Sequence, residues 1–252
     1  MNALRRLALA VRLDLRDLRR RPLILVLLIL TPYLFISRAI ANTEPLARTI
    51  ELANGTVVNT TMRDLHGADM TLIAVAFLAG LVGVFIMGAA RQADGRLARA
   101  GYGAATTVLA RLSVLVMCTA VIVGISLATT ARGFHPEHWR WFTLGNLVIA
   151  LTFASIGALG SVLFGRVGAT YLILFFAMLD LGVVQNPMFG SGTPPRWGQL
   201  LPGYPGARVV MNAALSPTGG APFPVILAMF AWLAALVTLT VWRLSAGLHD
   251  RR

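Results

Sequence analysis

The chain has 252 residues, of which 57 % are hydrophobic and 13 % charged, whereas about 25 % of the residues in soluble domains are charged. A soluble protein of this length could not cover so much apolar surface, but in a bilayer that surface needs no cover. The net charge is +12, and all 22 basic residues are arginine. A phosphate-binding loop of the G-x-x-x-x-G-K-[ST] type requires lysine, so the chain is not a P-loop ATPase.

Six apolar segments follow one another along the chain. A membrane-spanning helix needs about 20 residues, and unpaired backbone groups are costly in hydrocarbon, so we predict that these segments are helices. The predicted spans are 22–37, 70–90, 112–130, 142–164, 168–184 and 223–242. The predicted fold class is therefore an all-α polytopic membrane protein. It forms one domain over residues 1–252, with no room for a separate soluble domain.

The first 21 residues combine arginines with an apolar stripe. The stripe recurs at spacings of three and four, which is typical of an amphipathic helix lying on a membrane surface. It consists of Leu4, Leu7, Val11, Leu15 and Leu18. We predict an interfacial helix over residues 1–21. The alternative is a signal peptide with a cleavage site at Ala39-Ile40-Ala41, which the long basic region and the five further spans disfavour.

Arginines are divided unequally between the two sides of the predicted membrane. With the N-terminus in the cytoplasm, 15 arginines fall inside and 7 outside. A cytoplasmic excess of basic residues is the usual arrangement, so both termini are predicted to be cytoplasmic. Because the positive charge flanks the membrane, anionic lipid headgroups are the expected partner rather than nucleic acid. Exclusive use of arginine is typical of GC-rich bacterial genomes, and the predicted location is the bacterial plasma membrane.

A basic segment at 91–104 separates the second and third predicted spans. It carries Arg91, Asp94, Arg96 and Arg99, and Gly95 is expected to break or bend a helix there. One interpretation is an ordinary solvated cytoplasmic loop, because charge runs are weak indicators of function. The other is a docking surface for a cytoplasmic partner, because the planar guanidinium group binds carboxylates and carbonyls well.

The segment at 187–222, between the fifth and sixth predicted spans, mixes helix breakers with apolar residues. Aromatic side chains favour the membrane interface, and non-helical backbone survives at membrane depth only where protein covers it or water reaches it. We predict external re-entrant helices here, with Trp197, Pro202 and Tyr204 as candidates for an external gate. The alternative is an ordinary loop lying along the interface.

Asp180 is an acidic residue inside the fifth predicted span. Burying a carboxylate in a membrane costs at least about 2.5–3.5 kcal/mol on insertion scales, so the residue needs a partner, a cavity or a subunit interface. One hypothesis places it on a cargo path with Gln185, Asn186 and the flexible Met178. The other is a structural pairing with a polar side chain on a neighbouring span, or a neutral, protonated acid.

The sequence gives little support to an enzymatic or metal site. No histidine lies within a predicted span, and Gly190-Ser191-Gly192 lacks the G-x-S-x-G frame of a serine hydrolase. The His135-Pro136-Glu137-His138 segment lacks the H-E-x-x-H spacing of a zinc site. We therefore predict no catalytic residue, no metal site and no cofactor.

Several features, taken in chain order, resemble the permease subunits of ABC-2 type exporters, the family that includes daunorubicin-resistance permeases. The resemblance covers essentially the whole chain, and it rests on the combination of motifs rather than on any single one. The motifs are Arg19-Arg20-Arg21-Pro22, Pro32 in the first span, Asp94-Gly95-Arg96-Leu97, Ala110-Arg111-Leu112, and Pro194-Pro195-Arg196-Trp197 followed by Leu201-Pro202.

The resemblance implies a permease that is not itself an enzyme. Two such subunits, identical or different, would form the translocation path, and a separate ATPase dimer binding ATP and magnesium would drive it. Arg91, Asp94, Arg96 and Arg99 would belong to the coupling helix seated in that ATPase. The implied cargo is a drug-like or antibiotic-like amphiphile. A lipid or glycolipid exporter is the alternative within the family, and a non-transporting membrane anchor or assembly protein is the alternative outside it.

Overall fold

The computed structural model describes residues 8–9, 11–13, 15–16, 19–20, 22–52, 55–99, 104–189, 194–218 and 221–249. Within these ranges the protein is predominantly helical, with one small antiparallel β-hairpin. The elements are α1 Pro22–Asn42, β1 Ala47–Glu51, β2 Val57–Thr61, α2 Met62–Arg99, α3 Ala104–Thr130, α4 Trp139–Ala177, a π-helix Met178–Val184, a 3₁₀ helix Arg196–Leu200, α5 Gly203–Leu215 and α6 Phe223–His249.

Four helices among the described residues are long and apolar enough to cross a membrane. They cover 62–88, 106–130, 139–184 and 223–246, and a shorter apolar helix covers 28–42. Long apolar helices of this kind are what an all-α membrane protein requires, so the broad fold class is confirmed. The β-hairpin at 47–61 was not predicted.

The helix α2 begins eight residues earlier than the span predicted at 70–90, because a capping arrangement precedes it. Thr61 accepts a hydrogen bond from the Asp64 N–H at 3.2 Å, and its hydroxyl donates to the Asp64 carboxylate at 2.7 Å. The first of these bonds satisfies one of the backbone donors that the first turn of a helix leaves free, and the second holds the two side chains together. Strand β2 therefore ends at Thr61, and helix α2 begins at the next residue, Met62.

The loop predicted at 91–104 is helical as far as Arg99. Gly95 does not interrupt it, since one glycine costs only about 1 kcal/mol in a segment otherwise rich in alanine, arginine and leucine. Residues 100–103 lie outside the described part of the chain. The helix predicted at 112–130 begins earlier, at Ala104. The helix predicted at 223–242 ends later, at His249. The first helix continues past residue 37 to Asn42.

The spans predicted at 142–164 and 168–184 are two arms of one folded segment. As a single straight helix, its 46-residue apolar stretch would be about 69 Å long, roughly twice the hydrocarbon core of a bilayer. Gly165 interrupts it with φ 72° and ψ 177°, a conformation that is essentially restricted to glycine. We call residues 139–164 the first arm and residues 166–184 the second arm.

The two arms run in opposite directions along α2. In the first arm, Gly157 lies against Gly80 of α2, and Ser161 lies against Gly88. In the second arm the order is reversed, because Arg166 is close to Gly88 and Ile173 is close to Gly80. The fold at Gly165 is therefore a helical hairpin with both arms packed on α2.

The centre of the protein is α2, and its edge is α6. Along its most apolar stretch α2 is 72 % buried, whereas α6 is 11 % buried. Close approach to the first arm depends on glycine, because a Cβ atom on Gly157 would collide with the carbonyl oxygen of Gly80. Small residues of this kind let helix backbones touch in a membrane, where van der Waals packing drives association.

The N-terminal segment is helical wherever residues 8–19 are described. Val11 and Leu15 of the predicted stripe pack against the hydrophobic core, while Arg12, Arg16 and Arg19 are exposed. Leu4, Leu7 and Leu18 lie outside the described residues. The possible cleavage motif 39–41 lies inside α1, where Ile40 is buried.

Candidate functional site

Asp180 lies in the π-helix that ends the second arm, and its side chain is fully buried. Oδ2 accepts the backbone N–H of Gly203 at 2.8 Å, and Oδ1 accepts Nε2 of Gln185 at 3.2 Å. Both oxygens are thus occupied by protein donors. The structure consequently favours the structural pairing of Asp180 over direct contact with cargo, although the partners are an amide and a backbone N–H rather than a side chain of another span.

The Gly203 N–H is the first backbone donor of α5. Helix N-termini leave such donors unpaired and carry partial positive charge, so a carboxyl group placed there is stabilising. There is no spare room at this contact, since a Cβ atom on Gly203 would lie 2.6 Å from Asp180 Oδ2 and 2.6 Å from Leu181 Cδ2. The N-terminus of α5 is therefore seated directly on the second arm.

Gln185 links Asp180 to the 3₁₀ helix through two hydrogen bonds. Its Nε2 donates to Asp180 and also, at 2.8 Å, to the carbonyl oxygen of Gly198. Gly198 is buried within Arg196–Leu200. One amide group therefore connects the second arm to the 3₁₀ helix, while Asp180 connects it to α5.

Asn186 bonds to a second buried carboxyl group, that of Asp69, which lies one residue before the span predicted at 70–90. Its Nδ2 donates to Asp69 Oδ2 at 2.7 Å, and its Oδ1 accepts the Met188 N–H at 2.8 Å. Asp69 is 1 % exposed, and its Oδ1 has no hydrogen-bond partner among the described residues. We refer to Asp69, Asp180, Gln185 and Asn186 as the carboxyl–amide cluster.

Sequence reasoning missed Asp69 because hydropathy alone started the second span at Met70. The signal that could have found it is the Thr61-Met62-Arg63-Asp64 capping pattern, which places Asp69 two turns inside a helix. An acidic residue at that depth requires the same explanation as Asp180.

Helix α5 packs on the first arm as well as on the second. A Cβ atom on Gly145 would lie 2.7 Å from Val210 Cγ2, and one on Gly206 would lie 2.8 Å from Ile149 Cδ1. The helix is almost wholly buried, and Asn212 within it is 0 % exposed. It consequently bridges the two arms at the end of the protein where the carboxyl–amide cluster lies.

A cavity of about 250 Å³ opens beside the cluster. Gln185 and Asn186 form its polar part, and Val183, Val184, Phe189 and Trp197 contribute apolar walls. Phe189 and Trp197 are largely exposed at its rim. The cavity therefore combines two buried amides with an open apolar edge.

The other predicted site residues are dispersed. Met178 is about half exposed on the outside of the second arm. Of the predicted gate residues, Trp197 lines the cavity, Pro202 is buried at the start of α5 and Tyr204 is partly buried. Tyr204 contacts the guanidinium of Arg208, which lies 5.5 Å from its ring centre.

The predicted coupling residues lie at the far end of α2 from the cluster. The backbone of Arg91, Asp94, Arg96 and Arg99 is helical, and their side chains lie outside what the structure describes. The apolar part of the helix ends at Gly88. The basic residues therefore form a helical extension beyond the apolar part.

The histidines of the 135–138 segment are in different settings. His135 is exposed, and a ring nitrogen of His138 lies 3.0 Å from the carbonyl oxygen of Pro217. Across the described residues, no group of three metal-ligating side chains is gathered.

Comparison with protein-family models, with curated proteins and with solved structures gave no match. The function has to be inferred from the chain's own residues. The arrangement they form is a short buried helix, hydrogen-bonded to a hairpin of two apolar arms, beside an amphipathic cavity.

Proposed function

We propose that this chain is the permease subunit of an ABC-2 type exporter, forming the translocation path for drug-like or antibiotic-like amphiphiles. Two permease subunits, identical or different, assemble in the bacterial plasma membrane with both termini in the cytoplasm. A separate ATPase dimer binds ATP and magnesium and drives transport. The permease has no catalytic role, no cofactor of its own and no nucleic-acid partner, and its basic flanks contact anionic lipid.

The observation that carries the proposal is α5. Its 13 residues extend about 20 Å at 1.5 Å per residue, too short for a hydrocarbon core of about 30 Å. Yet the helix is buried against both arms and capped by Asp180. A short helix that enters the protein between two apolar helices is the geometry expected of a re-entrant segment. We infer that it closes the outer end of the path.

The hairpin at Gly165 supports six membrane crossings. Each arm packs separately along α2 in opposite directions, so α1, α2, α3, the two arms and α6 provide six apolar helices. An even number of crossings leaves both termini on one side. The shorter apolar stretch of α1 then serves as the first crossing.

The extension of α2 supports coupling to a cytoplasmic motor. Movement of a rigid helix end transmits directly to residues further along the same helix. In this protein the same helix carries Arg91–Arg99 at one end and Asp69 at the other. A push on the basic end would thus reach the carboxyl–amide cluster.

The exposed apolar rim of the cavity favours lipid or glycolipid as a second class of cargo. Phe189 is 67 % and Trp197 57 % exposed, which is suited to contact with a lipid chain entering from the side. Both cargo classes use the same architecture. The choice between them is an outcome of the following experiment.

The test is co-expression with each ABC ATPase subunit encoded in the source genome, followed by purification and reconstitution into liposomes. We expect the two proteins to purify together and ATP hydrolysis to rise with a subset of amphiphilic compounds or lipids. An ATPase lacking its phosphate-binding lysine is the control. Failure of any ATPase to associate would support the membrane-anchor alternative, and transport by the chain alone would contradict the proposal.

A further inference from the structure

The cavity beside the carboxyl–amide cluster has a definite size. Its volume is about 250 Å³, larger than the roughly 150 Å³ cavity that holds benzene and smaller than the roughly 300–1,000 Å³ pockets of drug-sized ligands. It can therefore take one end of an amphiphile, such as a headgroup with an adjoining ring. It cannot enclose a whole drug molecule.

The two amides that line the cavity have no donors left to offer. An amide carries two N–H groups. Those of Gln185 are directed to Asp180 at 3.2 Å and to Gly198 at 2.8 Å. Those of Asn186 are directed to Asp69 at 2.7 Å and to Gly182 at 3.3 Å.

The neighbouring hydrogen-bonding groups also determine the orientation of each amide, that is, which side carries its oxygen and which its nitrogen. Gly198 and Gly182 present carbonyl oxygens, which only accept, so the amide nitrogens must face them. The Met188 N–H, which only donates, faces Asn186 Oδ1. Among the described residues none donates to Oε1 of Gln185. The polar part of the cavity therefore offers an acceptor, Oε1 of Gln185.

The buried carboxyl groups strengthen this preference. An amide that donates to a carboxyl group is polarised, and its own oxygen becomes a better acceptor. Asp180 accepts a hydrogen bond from the amide of Gln185, and Asp69 accepts one from the amide of Asn186. A ligand group placed in the cavity meets the polarised Oε1 of Gln185 and an aromatic wall formed by Trp197.

We propose that this cavity binds the hydrogen-bond-donating end of an amphiphile, an amine or a hydroxyl group, with its apolar part against Trp197 and Phe189. A headgroup that only accepts hydrogen bonds should bind less tightly, because it has no donor for Oε1 of Gln185. This proposal rests on the proposed exporter function and names the chemistry of its cargo. Binding itself does not require the ATPase, which makes the two separable.

The test measures protection of a cysteine at the cavity rim. Pro195→Cys, at an exposed position in the cavity lining, in a Cys118→Ala background is reconstituted in lipid nanodiscs without any ATPase, and the rate of alkylation by iodoacetamide is followed. The probes are 3-phenylpropylamine and its N,N,N-trimethyl derivative, and 3-phenylpropanol and its methyl ether. Each pair shares its apolar part and differs in the presence of a donor.

We expect the amine and the alcohol to protect the cysteine at about tenfold lower concentration than their donor-free partners, the factor that corresponds to one hydrogen bond. Protection by the amine alone, or by the alcohol alone, would still support the cavity and would identify the headgroup. Equal protection by all four probes would overturn the proposal. So would equal protection of a Tyr171→Cys variant, whose side chain is exposed on the second arm away from the cavity.

A cavity-filling substitution provides an independent arm. Val183 and Val167 are exposed valines on the second arm, and only Val183 lines the cavity. Val183→Phe should abolish the protection, whereas Val167→Phe should leave it unchanged. If protection occurs but no ATPase associates with the chain, the binding site stands and the exporter function falls. If the ATPase associates but protection does not depend on a donor group, the exporter function stands and the proposed binding site falls.

Discussion

Gly203 donates its backbone N–H to Oδ2 of Asp180 over 2.8 Å, so a buried acid of one helix caps the start of another. The two residues are 23 positions apart and belong to elements that the sequence separates with proline and glycine. Their contact means that α5 cannot move away from the second arm without leaving a buried carboxyl oxygen unpaired. Such a loss costs about 1–3 kcal/mol.

Substitutions at this contact should loosen α5 rather than unfold the protein. Asp180→Asn replaces one acceptor with an amide nitrogen, so one of the donors from Gly203 and Gln185 loses its partner. We expect about 1–3 kcal/mol of destabilisation, seen as a lower melting temperature in detergent. The altered position of α5 should also shift cargo preference, especially for cationic compounds, while assembly with the ATPase persists.

The matched backbone change is Gly203→Ala, which places a Cβ atom 2.6 Å from the carboxyl oxygen. It should reproduce the effect of Asp180→Asn on melting and on cargo preference. An unchanged transport profile in both variants would remove Asp180 from the site.

The Asp69–Asn186 pair should respond to exchange of its two side chains. Asn186→Asp alone sets two carboxyl groups at the 2.7 Å contact and should destabilise the protein by several kcal/mol, as buried unpaired charges do. Combining it with Asp69→Asn restores one amide and one carboxyl group. The double variant should therefore be more stable than Asn186→Asp alone, and a double-mutant cycle on melting temperature measures the coupling. Additive effects would argue against the pairing.

Packing between α2 and the first arm should be intolerant of a single methyl group. Gly157→Ala collides with the Gly80 carbonyl, which is backbone and cannot rotate away. Overpacking of this kind costs about 1–3 kcal/mol or more. Gly124→Ala in α3 is the control, because no atom lies within 4 Å of its Cβ position and alanine favours helix by about 1 kcal/mol. Thermal unfolding of both variants in detergent measures the difference, and equal stability would contradict the close approach.

Charge reversal on the extension of α2 should detach the motor. Arg96→Glu with Arg99→Glu reverses the charge of the proposed docking surface, and like charges facing a partner that binds arginine cost several kcal/mol at an interface. We expect at least a tenfold drop in the ATPase recovered with the purified permease, since tenfold corresponds to about 1.4 kcal/mol. The control is Arg140→Glu with Arg196→Glu, two exposed arginines on the predicted outer side. Normal recovery of the ATPase would count against the coupling assignment.

Membrane orientation is testable by cysteine labelling in a Cys118→Ala background. Val57→Cys lies on an exposed position of the β-hairpin, and His249→Cys lies at the end of α6, beyond its apolar stretch. A membrane-impermeant maleimide added to intact cells should label the former and reach the latter only after permeabilisation. The reverse pattern would invert the predicted topology.

Local sequence predicted the apolar helices because their formation depends on local properties. A run of apolar residues lowers the cost of insertion, and the backbone in lipid has few alternatives to helix. The start of α2 was also predictable in principle, since Thr61 and Asp64 form the cap within one turn. The continuation of α2 to Arg99 was not predicted, because Gly95 was expected to break or bend a helix there, whereas the helix-forming residues around it keep the segment helical.

The pairing of the buried polar groups was beyond sequence reasoning. Asp69 and Asn186 are separated by 117 positions, and nothing local indicates which polar side chain will face which carboxyl group. The break at Gly165 was also beyond sequence reasoning. Its positive φ follows from the way both arms pack on α2, whereas several other glycines in the same segment remain helical.

By itself, then, the sequence determined that this chain is a membrane protein of apolar helices with arginine-rich flanks and no phosphate-binding loop, because composition and hydropathy act residue by residue. Only the tertiary structure decided that Asp180 caps α5, that Asp69 joins the cluster and that two amides line a cavity. Those features depend on which helices become neighbours, and helix pairing is governed by shape and hydrogen bonding between distant segments rather than by local preference.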